Sequence, residues 1–452
     1  MWCTPIMRRD VLLMVMLALA TFWVVRISPV LRSTVYTRSD PSGSLLVAQT
    51  IIQDGTVKVD VCEAADPRRP FHWQFAQHNG HCYYQFPLGT SLLATPFVAI
   101  ANLWGMDMFC HEQESILQGW LAPLTVSVIS LLIYSLSRFR FGSYRSTIFA
   151  VLFVFGTTLA SSCGAALWSF NCELIFMMIA LHCLLSISDG HGSRTLCPLL
   201  LGGALFFAYL SRPSALVFIA GCGGVLFFKN LSAVWKTLAT LCVLFLAFIM
   251  FSIHEFGLLV PPYYQLTRLG GAATFWTALL GNTVSPSRGL FVFSPFLLLL
   301  LIFSLIHFRW NILNLFAYGW IVLNLVAVSH FPHWWGGGSF GPRLLTDVVP
   351  AFLLLGLLTA PPLTKHRGRV FWGLLLLLGG LSVGIHSVQG LYNLAPWSWQ
   401  REPDIDKYPE YIFDWRCPQF LATWSSLERR MQRHNTAVER EQRSLIDDEV
   451  SR

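Results

Sequence analysis

Long apolar runs with almost no charge constrain this chain more than any other feature. "VLLMVMLALATFWVV" (11–25), "LFVFSPFLLLLLIFSLI" (290–306) and "VFWGLLLLLGGLSVGIHSV" (370–388) each approach the ~20 residues that a helix needs to cross the hydrocarbon layer of a bilayer. Of 452 residues, 54% are hydrophobic and only 12% charged, against about 25% charged in an ordinary soluble domain. The expected fold is an all-α polytopic membrane protein of eleven to thirteen spans, thirteen preferred. It comprises a transmembrane domain over residues 1–390, with a first outer loop at about 31–88, and a polar tail over 391–452.

Positive charge in short loops marks the cytoplasmic side. "KNLSAVWK" (229–236), "HFRWN" (307–311) and "KHRGR" (365–369) fit that rule, and Arg8 and Arg9 place the amino terminus inside, ahead of an uncleaved first helix. The first loop, the segments near 256–289 and 330–343, and the tail then all face outward. "RFRFGSYR" (138–145) also looks cytoplasmic, which requires one stretch between 88 and 136, or between 198 and 228, to be re-entrant or doubled. The net charge of +7 comes without any basic run interleaved with aromatics, so no nucleic-acid site is expected.

Within the first loop, "SLLVAQTIIQD" (44–54) puts Leu45, Ala48 and Ile52 on one helical face and ends at Asp54-Gly55, a short helix expected at the membrane surface. "TVKVDV" alternates Val57, Val59 and Val61, a small strand. Most of the eleven cysteines lie in apolar runs as packing residues; Cys62 and Cys82 share a polar loop where a disulfide is an open alternative. No metal-ligand spacing, P-loop or dinucleotide fingerprint is present, and neither metal nor cofactor is expected.

Three polar clusters interrupt the apolar pattern. Asp40, in "RSDPSG", stands in the first outer loop where the chain leaves the bilayer, a position suited to a general base; a turn or cap aspartate is the plainer alternative. Arg288, in "NTVSPSRGLFVFSP", carries the forked donors that match a phosphate, or else snorkels to lipid headgroups. "HFPHWWGGGSFGPRLLTD" (330–347) brings together His330, His333, Trp334, Trp335, three glycines including Gly337, and Arg343. Glycines there let backbone N–H groups approach an anion, and the tryptophans offer a sugar a stacking face or join the interfacial aromatic belt. Asp347, four residues after Arg343, is placed to pair with it on a helix. Arg212, in "YLSRPSAL", is a further phosphate or headgroup contact, or a boundary arginine.

The outer first loop with its acid ("RSDPSGSLLVAQTIIQDG"), the proline-marked segment "YYQFPLGTSLLATPF", and the blocks "ALWSF", "SRPSAL", "SPSRGLFVFSP" and "WWGGGSFGPRLLTDVVP" resemble the GT-C superfamily of integral-membrane glycosyltransferases. That group includes protein O-mannosyltransferases and the lipid A aminoarabinose transferase; the similarity is to its bacterial branch and covers most of residues 1–390. It implies a transfer of sugar from a polyprenyl-phosphate donor to an acceptor hydroxyl on a glycan, lipid or protein, at the extracytoplasmic face of the bacterial inner membrane. It implies that Asp40 is the base; the second acid common in the superfamily is absent, the neighbours here being Ser39 and Pro41. Arg288, Arg343, Arg212, His330, His333, Trp334, Trp335 and Gly337 are the candidate donor-binding residues. The competing classes are a lipid-linked sugar transporter or flippase, and a non-catalytic membrane scaffold.

Overall fold

The computed structural model describes residues 8–33, 39–60, 73–190, 192, 194–265 and 274–450. It is predominantly helical. The first helix, α1 (Arg8–Arg26), is followed by α2 (Ser44–Asp54), a hairpin of β1 (Phe75–His78) and β2 (His81–Tyr84), and α3 (Gly89–Leu103). A bundle succeeds them: α4 (His111–Arg138), α5 (Ser143–Phe155), α6 (Ser169–Ser188), α7 (Leu196–Ser211), α8 (Ala215–Lys229) and α9 (Leu231–Phe256). Then come α10 (Phe275–Val284), α11 (Pro295–Ile306), α12 (Ile312–Ser329), α13 (Val349–Thr359), α14 (His366–Val383) and the tail helix α15 (Trp424–Val450).

Among the described residues, five helices are long and apolar enough to cross a membrane: α4, α6, α9, α12, and α14 with its continuation to Tyr392. This fits an all-α membrane protein. Burial sorts them. In α6, 78% of the apolar window lies inside the protein, whereas in α9 only 22% does; α6 is therefore a central post and α9 a peripheral one. The uncovered faces carry large apolar side chains such as Leu12, Trp23, Val243 and Met250, the reverse of a water-facing surface and the pattern expected where lipid is the solvent.

Helix boundaries follow local chemistry. The Asn230 side chain accepts from the Ala233 N–H at the start of α9, and Gly257 ends that helix in the left-handed region at φ 66°, a conformation that costs glycine no Cβ clash. Gly55 ends α2 in the same way, at φ 67°. Contrary to a helix resting on the membrane surface, however, residues Ser44 to Thr50 of α2 are buried on every side. The strand expected over 56–61 is reduced to one bridge, Lys58 to Tyr83, and Val61 lies outside the described residues. The regular strands are instead β1 and β2, paired antiparallel around Asn79-Gly80. Asn79 at φ 51° and Gly80 at φ 77° form the two-residue turn whose twist matches that of its strands.

One end of the bundle is tied together by a buried aspartate. The carboxylate of Asp10, at the start of α1, accepts from Tyr134 Oη (2.7 Å) and Ser143 Oγ (2.6 Å) and pairs with Arg138 (3.1 Å). The start of α1, the end of α4 and the start of α5 therefore lie together. At the opposite end α3 begins against α7 so closely that a Cβ on Gly89 falls 2.6 Å from Ser211 Cα. It ends short of Asp107, whose carboxylate accepts from Gln49 of α2 at 2.8 Å.

The tail packs on the segments 282–295 and 330–343. Gln419 Oε1 accepts from the Gly341 N–H (3.0 Å), Gln419 Nε2 donates to Ser339 O (2.9 Å), and Ser287 Oγ donates to Ile412 O (2.8 Å). Arg430 of α15 is sealed in this layer, its guanidinium over the Trp399 ring at 3.9 Å and donating to Glu402 O at 2.9 Å.

Candidate functional site

The turn carrying Asp40 is held from below by one face of α4. Glu114 Oε1 accepts from the Gly43 N–H (2.8 Å) and the Leu45 N–H (3.1 Å), serving two of the donors that the start of α2 leaves without helical partners. His111 Nδ1 meets Ser42 Oγ at 3.3 Å, and Gln118 Nε2 donates to Pro41 O at 3.1 Å. From the hairpin, Tyr84 Oη donates to the Asp40 carbonyl. Gly43 sits at φ 100°, where a Cβ would meet the Phe75 ring at 2.6 Å, so no side chain fits. The backbone is fixed on all sides, and the Asp40 carboxylate, 31% exposed, projects into a hollow of about 370 Å³. That volume is within the usual range for small-molecule sites.

Two arginines share this hollow. Arg343 Nη2 lies 3.6 Å from Asp40 Oδ2 and donates to Gly336 O at 2.8 Å, with the guanidinium 4.3 Å from the centre of the Trp168 ring. Arg212, at the end of α7, is 5.6 Å from the Phe170 ring, and Trp168 and Phe170 are themselves stacked, 5.7 Å apart with 16° between their planes. The two cations thus stand over neighbouring aromatic faces, an arrangement that supports a guanidinium while leaving its edge for a ligand.

Behind Arg212 are two buried carboxylates. Its Nε is 3.6 Å from Glu173 Oε2 and 3.8 Å from Asp347 Oδ2. Ser214 Oγ donates to Glu173 Oε1 at 3.3 Å. Asp347 therefore serves Arg212 and not Arg343. The cause is the local helix type: residues Arg343–Val348 form a 3-10 helix, with three residues per turn, so positions four apart no longer share a face.

The other predicted residues divide. His333 and Gly337 line the hollow. Arg288 does not: it is 1% exposed, and its donors go to Trp335 O (2.6 Å), Ser287 O (2.7 Å), Gln419 Oε1 (2.8 Å) and Gly337 O (3.0 Å). It is a clamp on the glycine loop. His330 is likewise outside the hollow, its Nδ1 against Val326 O at 2.9 Å and its ring on Phe275. Trp334 is buried against Gly281, and Trp335 donates from Nε1 to Asp406 at 2.6 Å. From that stretch, besides His333, only Phe331 adds an aromatic wall to the hollow; the others come from Trp73, Tyr84, Phe86, Trp168, Phe170 and Tyr263.

The glycines also act differently from an anion-binding nest. Gly336 and Gly337 adopt φ of 72° and 59°, which turns their carbonyls toward Arg343 and Arg288, while the Gly336 N–H is taken by His333 O at 2.8 Å. Left-handed glycines are used here to orient guanidiniums. Sequence reasoning missed Glu114, His111 and Gln118, although their spacing places them on one face of a span, and it missed Glu173, an acid inside an apolar run where ionisable groups mark function or pairing. The Cys62–Cys82 pairing rests on Cys62, which lies outside the described residues. Among the described residues no group of three or more His, Cys, Asp or Glu is arranged to hold a metal ion.

The hollow presents one carboxylate, Asp40, beside Arg343 and Arg212, the latter backed by Glu173 and Asp347, and is walled by aromatic rings. It suits a ligand that carries a phosphate and, next to it, a group from which a proton is taken. No protein family, curated protein or solved structure matches this chain.

Proposed function

We propose that the protein is a membrane glycosyltransferase that moves a sugar from a polyprenyl-phosphate donor to an acceptor hydroxyl. The observation that carries this reading is the meeting of Asp40 with Arg343 and Arg212 in one hollow. Asp40 takes the proton of the acceptor hydroxyl as its oxygen attacks the anomeric carbon. The bond from that carbon to the phosphate oxygen breaks, and the electron pair leaves on the lipid phosphate, between the two guanidiniums. The products are a glycoside and polyprenyl phosphate, with the proton on Asp40 returned to water.

We further propose eleven crossings, by α1, α4, α5, α6, α7, α8, α9, α11, α12, α13 and α14, in the inner membrane with the hollow on the extracytoplasmic face. Support comes from the ion pair of Asp10 with Arg138, which sets the amino-terminal arginines and "RFRFGSYR" at one end. Further support comes from α3, which begins against Ser211 and is followed at once by Asp107 on Gln49 of α2. With α3 as the segment that does not cross, the basic loops after α8, α11 and α13 all fall on the cytoplasmic side, as charge asymmetry requires.

The test is to incubate membranes containing the protein with labelled polyprenyl-phosphate sugars. The reading expects a labelled product that disappears with Asp40→Asn; no labelled product from any such donor overturns it.

A further inference from the structure

A second, smaller pocket of about 140 Å³ lies where the β1–β2 hairpin meets the end of α9 and the 3-10 turn Pro262–Tyr264. Most of the side chains around it are aromatic, and Tyr84, Phe86 and Tyr263 belong both to its wall and to that of the hollow. The rings are inclined to one another, not stacked. Tyr83 and Phe256 lie 4.7 Å apart at 44°, Tyr84 and Phe86 5.4 Å apart at 55°, and Phe86 and Tyr263 5.9 Å apart at 54°. Rings so tilted form the sides of a cup.

Their polar tips are engaged elsewhere. Tyr83 Oη donates to Glu255 O (2.9 Å), Tyr84 Oη to Asp40 O and Tyr264 Oη to Leu210 O (2.6 Å), while His78 Nε2 meets Phe256 O at 2.7 Å. No Lys or Arg lines the cup. A sugar would find few partners there for its hydroxyls. What the cup offers is ring faces, whose negative quadrupole attracts a cation that needs no hydrogen bond.

A carboxylate stands behind it. Glu255, in the last turn of α9, has a side chain only 10% exposed; its Oε1 is 3.8 Å from Nε2 of the exposed His254, and its Oε2 is buried with no hydrogen-bond partner among the described residues. Burial first, then the charge of Glu255 and that of Asp60, push the Tyr83 phenol up to about 12. A buried carboxylate with an unmet oxygen is costly, and a cation in the cup offsets that cost. Because α9 is the peripheral helix, with 22% of its apolar window covered, lipid headgroups lie within reach of its end.

We propose that this cup binds a quaternary ammonium group, the trimethylammonium of a choline-type lipid headgroup or of a soluble choline derivative. The proposal is independent of the transferase reading, since it needs neither Asp40 nor a sugar.

The experiment uses the purified full-length protein in nanodiscs without choline lipids. It is titrated calorimetrically with tetramethylammonium, with choline, and with dimethylbutanol, the neutral isostere of choline in which carbon replaces nitrogen. Saturable binding of both cations is expected, and none of the neutral alcohol over the same range. Phe256→Leu, which keeps apolar bulk but removes a ring face, is expected to weaken choline binding about three- to thirty-fold, and Glu255→Gln to weaken it as well. Nanodiscs of phosphatidylcholine separate the two sources: soluble choline that no longer binds there identifies the headgroup as occupant, and undiminished binding identifies a soluble ligand. Absence of saturable binding by either cation, or equal binding of the neutral alcohol, overturns the proposal without recourse to any variant. Wild-type affinity in both Phe256→Leu and Glu255→Gln overturns it too.

Discussion

Arg343 Nη2 stands 3.6 Å from Asp40 Oδ2 although the two residues come from opposite ends of the membrane domain. The pair is loose for an ion pair, and each partner is anchored elsewhere: Arg343 by Gly336 O and Trp168, Asp40 through its backbone by Tyr84. A ligand phosphate that takes over the guanidinium frees the carboxylate for a proton without moving either backbone.

Arg288 and Arg343 are predicted to behave oppositely. Arg288→Met leaves buried carbonyls of Trp335, Ser287 and Gly337 without their donor, and each such group costs about 1–3 kcal/mol. Thermal unfolding in detergent is expected to show a large loss of stability. Arg343→Met is expected to unfold near the wild-type temperature and to lose donor binding; equal destabilisation by both contradicts the assignment.

Glu114 holds the Asp40 turn. Glu114→Ala strands the buried N–H groups of Gly43 and Leu45, a loss of about 2–6 kcal/mol. Glu114→Gln retains an acceptor and should recover most of the stability, as read by denaturation midpoints. A wild-type midpoint for the alanine variant removes the proposed support.

Much of this was legible in the residues themselves. The apolar runs announce the bilayer, Asn230 and Gly257 mark the ends of a helix, and Asp40, Arg343, Arg212 and His333 stand out as polar groups between apolar segments. The role of Arg288 was not legible, because a guanidinium that clamps carbonyls looks the same in sequence as one that binds phosphate. Only the fold decides which oxygens surround it. The hairpin is legible too: Asn79-Gly80 between "FAQH" and "HCYY" is a stronger turn signal than the valine alternation upstream.

Gly281 makes room for Trp334: a Cβ there falls 2.1 Å from the indole. Gly281→Ala is therefore expected to cost about 1–3 kcal/mol by overpacking and to loosen the tail, seen as faster limited proteolysis after residue 394. Unchanged cleavage shows that the indole moves aside without consequence.

The hairpin should weaken in acid. The Asp60 carboxylate accepts from the Cys82 N–H at 2.9 Å and meets His81 at 2.8 Å, and the Cys82 bond above all holds its pKa below the usual value of 3.8. A depressed carboxylate contributes stability above its unfolded pKa and loses it as pH falls through the folded one. Hydrogen exchange at residues 75–84 is expected to lose protection below about pH 4, and Asp60→Asn to abolish that dependence. The same acid profile in Asp60→Asn assigns the effect elsewhere.

The proposed orientation is open to thiol labelling. Glu112→Cys, at the start of α4, is expected to react with an impermeant reagent added from outside, and Arg140→Cys, beyond its end, only after the membrane is opened. The reverse pattern inverts the topology.

The most direct measurement is sugar transfer from a polyprenyl-phosphate donor by Asp40→Asn, Arg343→Ala and the double variant. If both side chains act on one ligand in one hollow, each single change lowers turnover by about 10²-fold or more, and the double variant is scarcely worse than the poorer single. Wild-type turnover in either single variant, or losses that multiply fully in the double, would contradict a shared site.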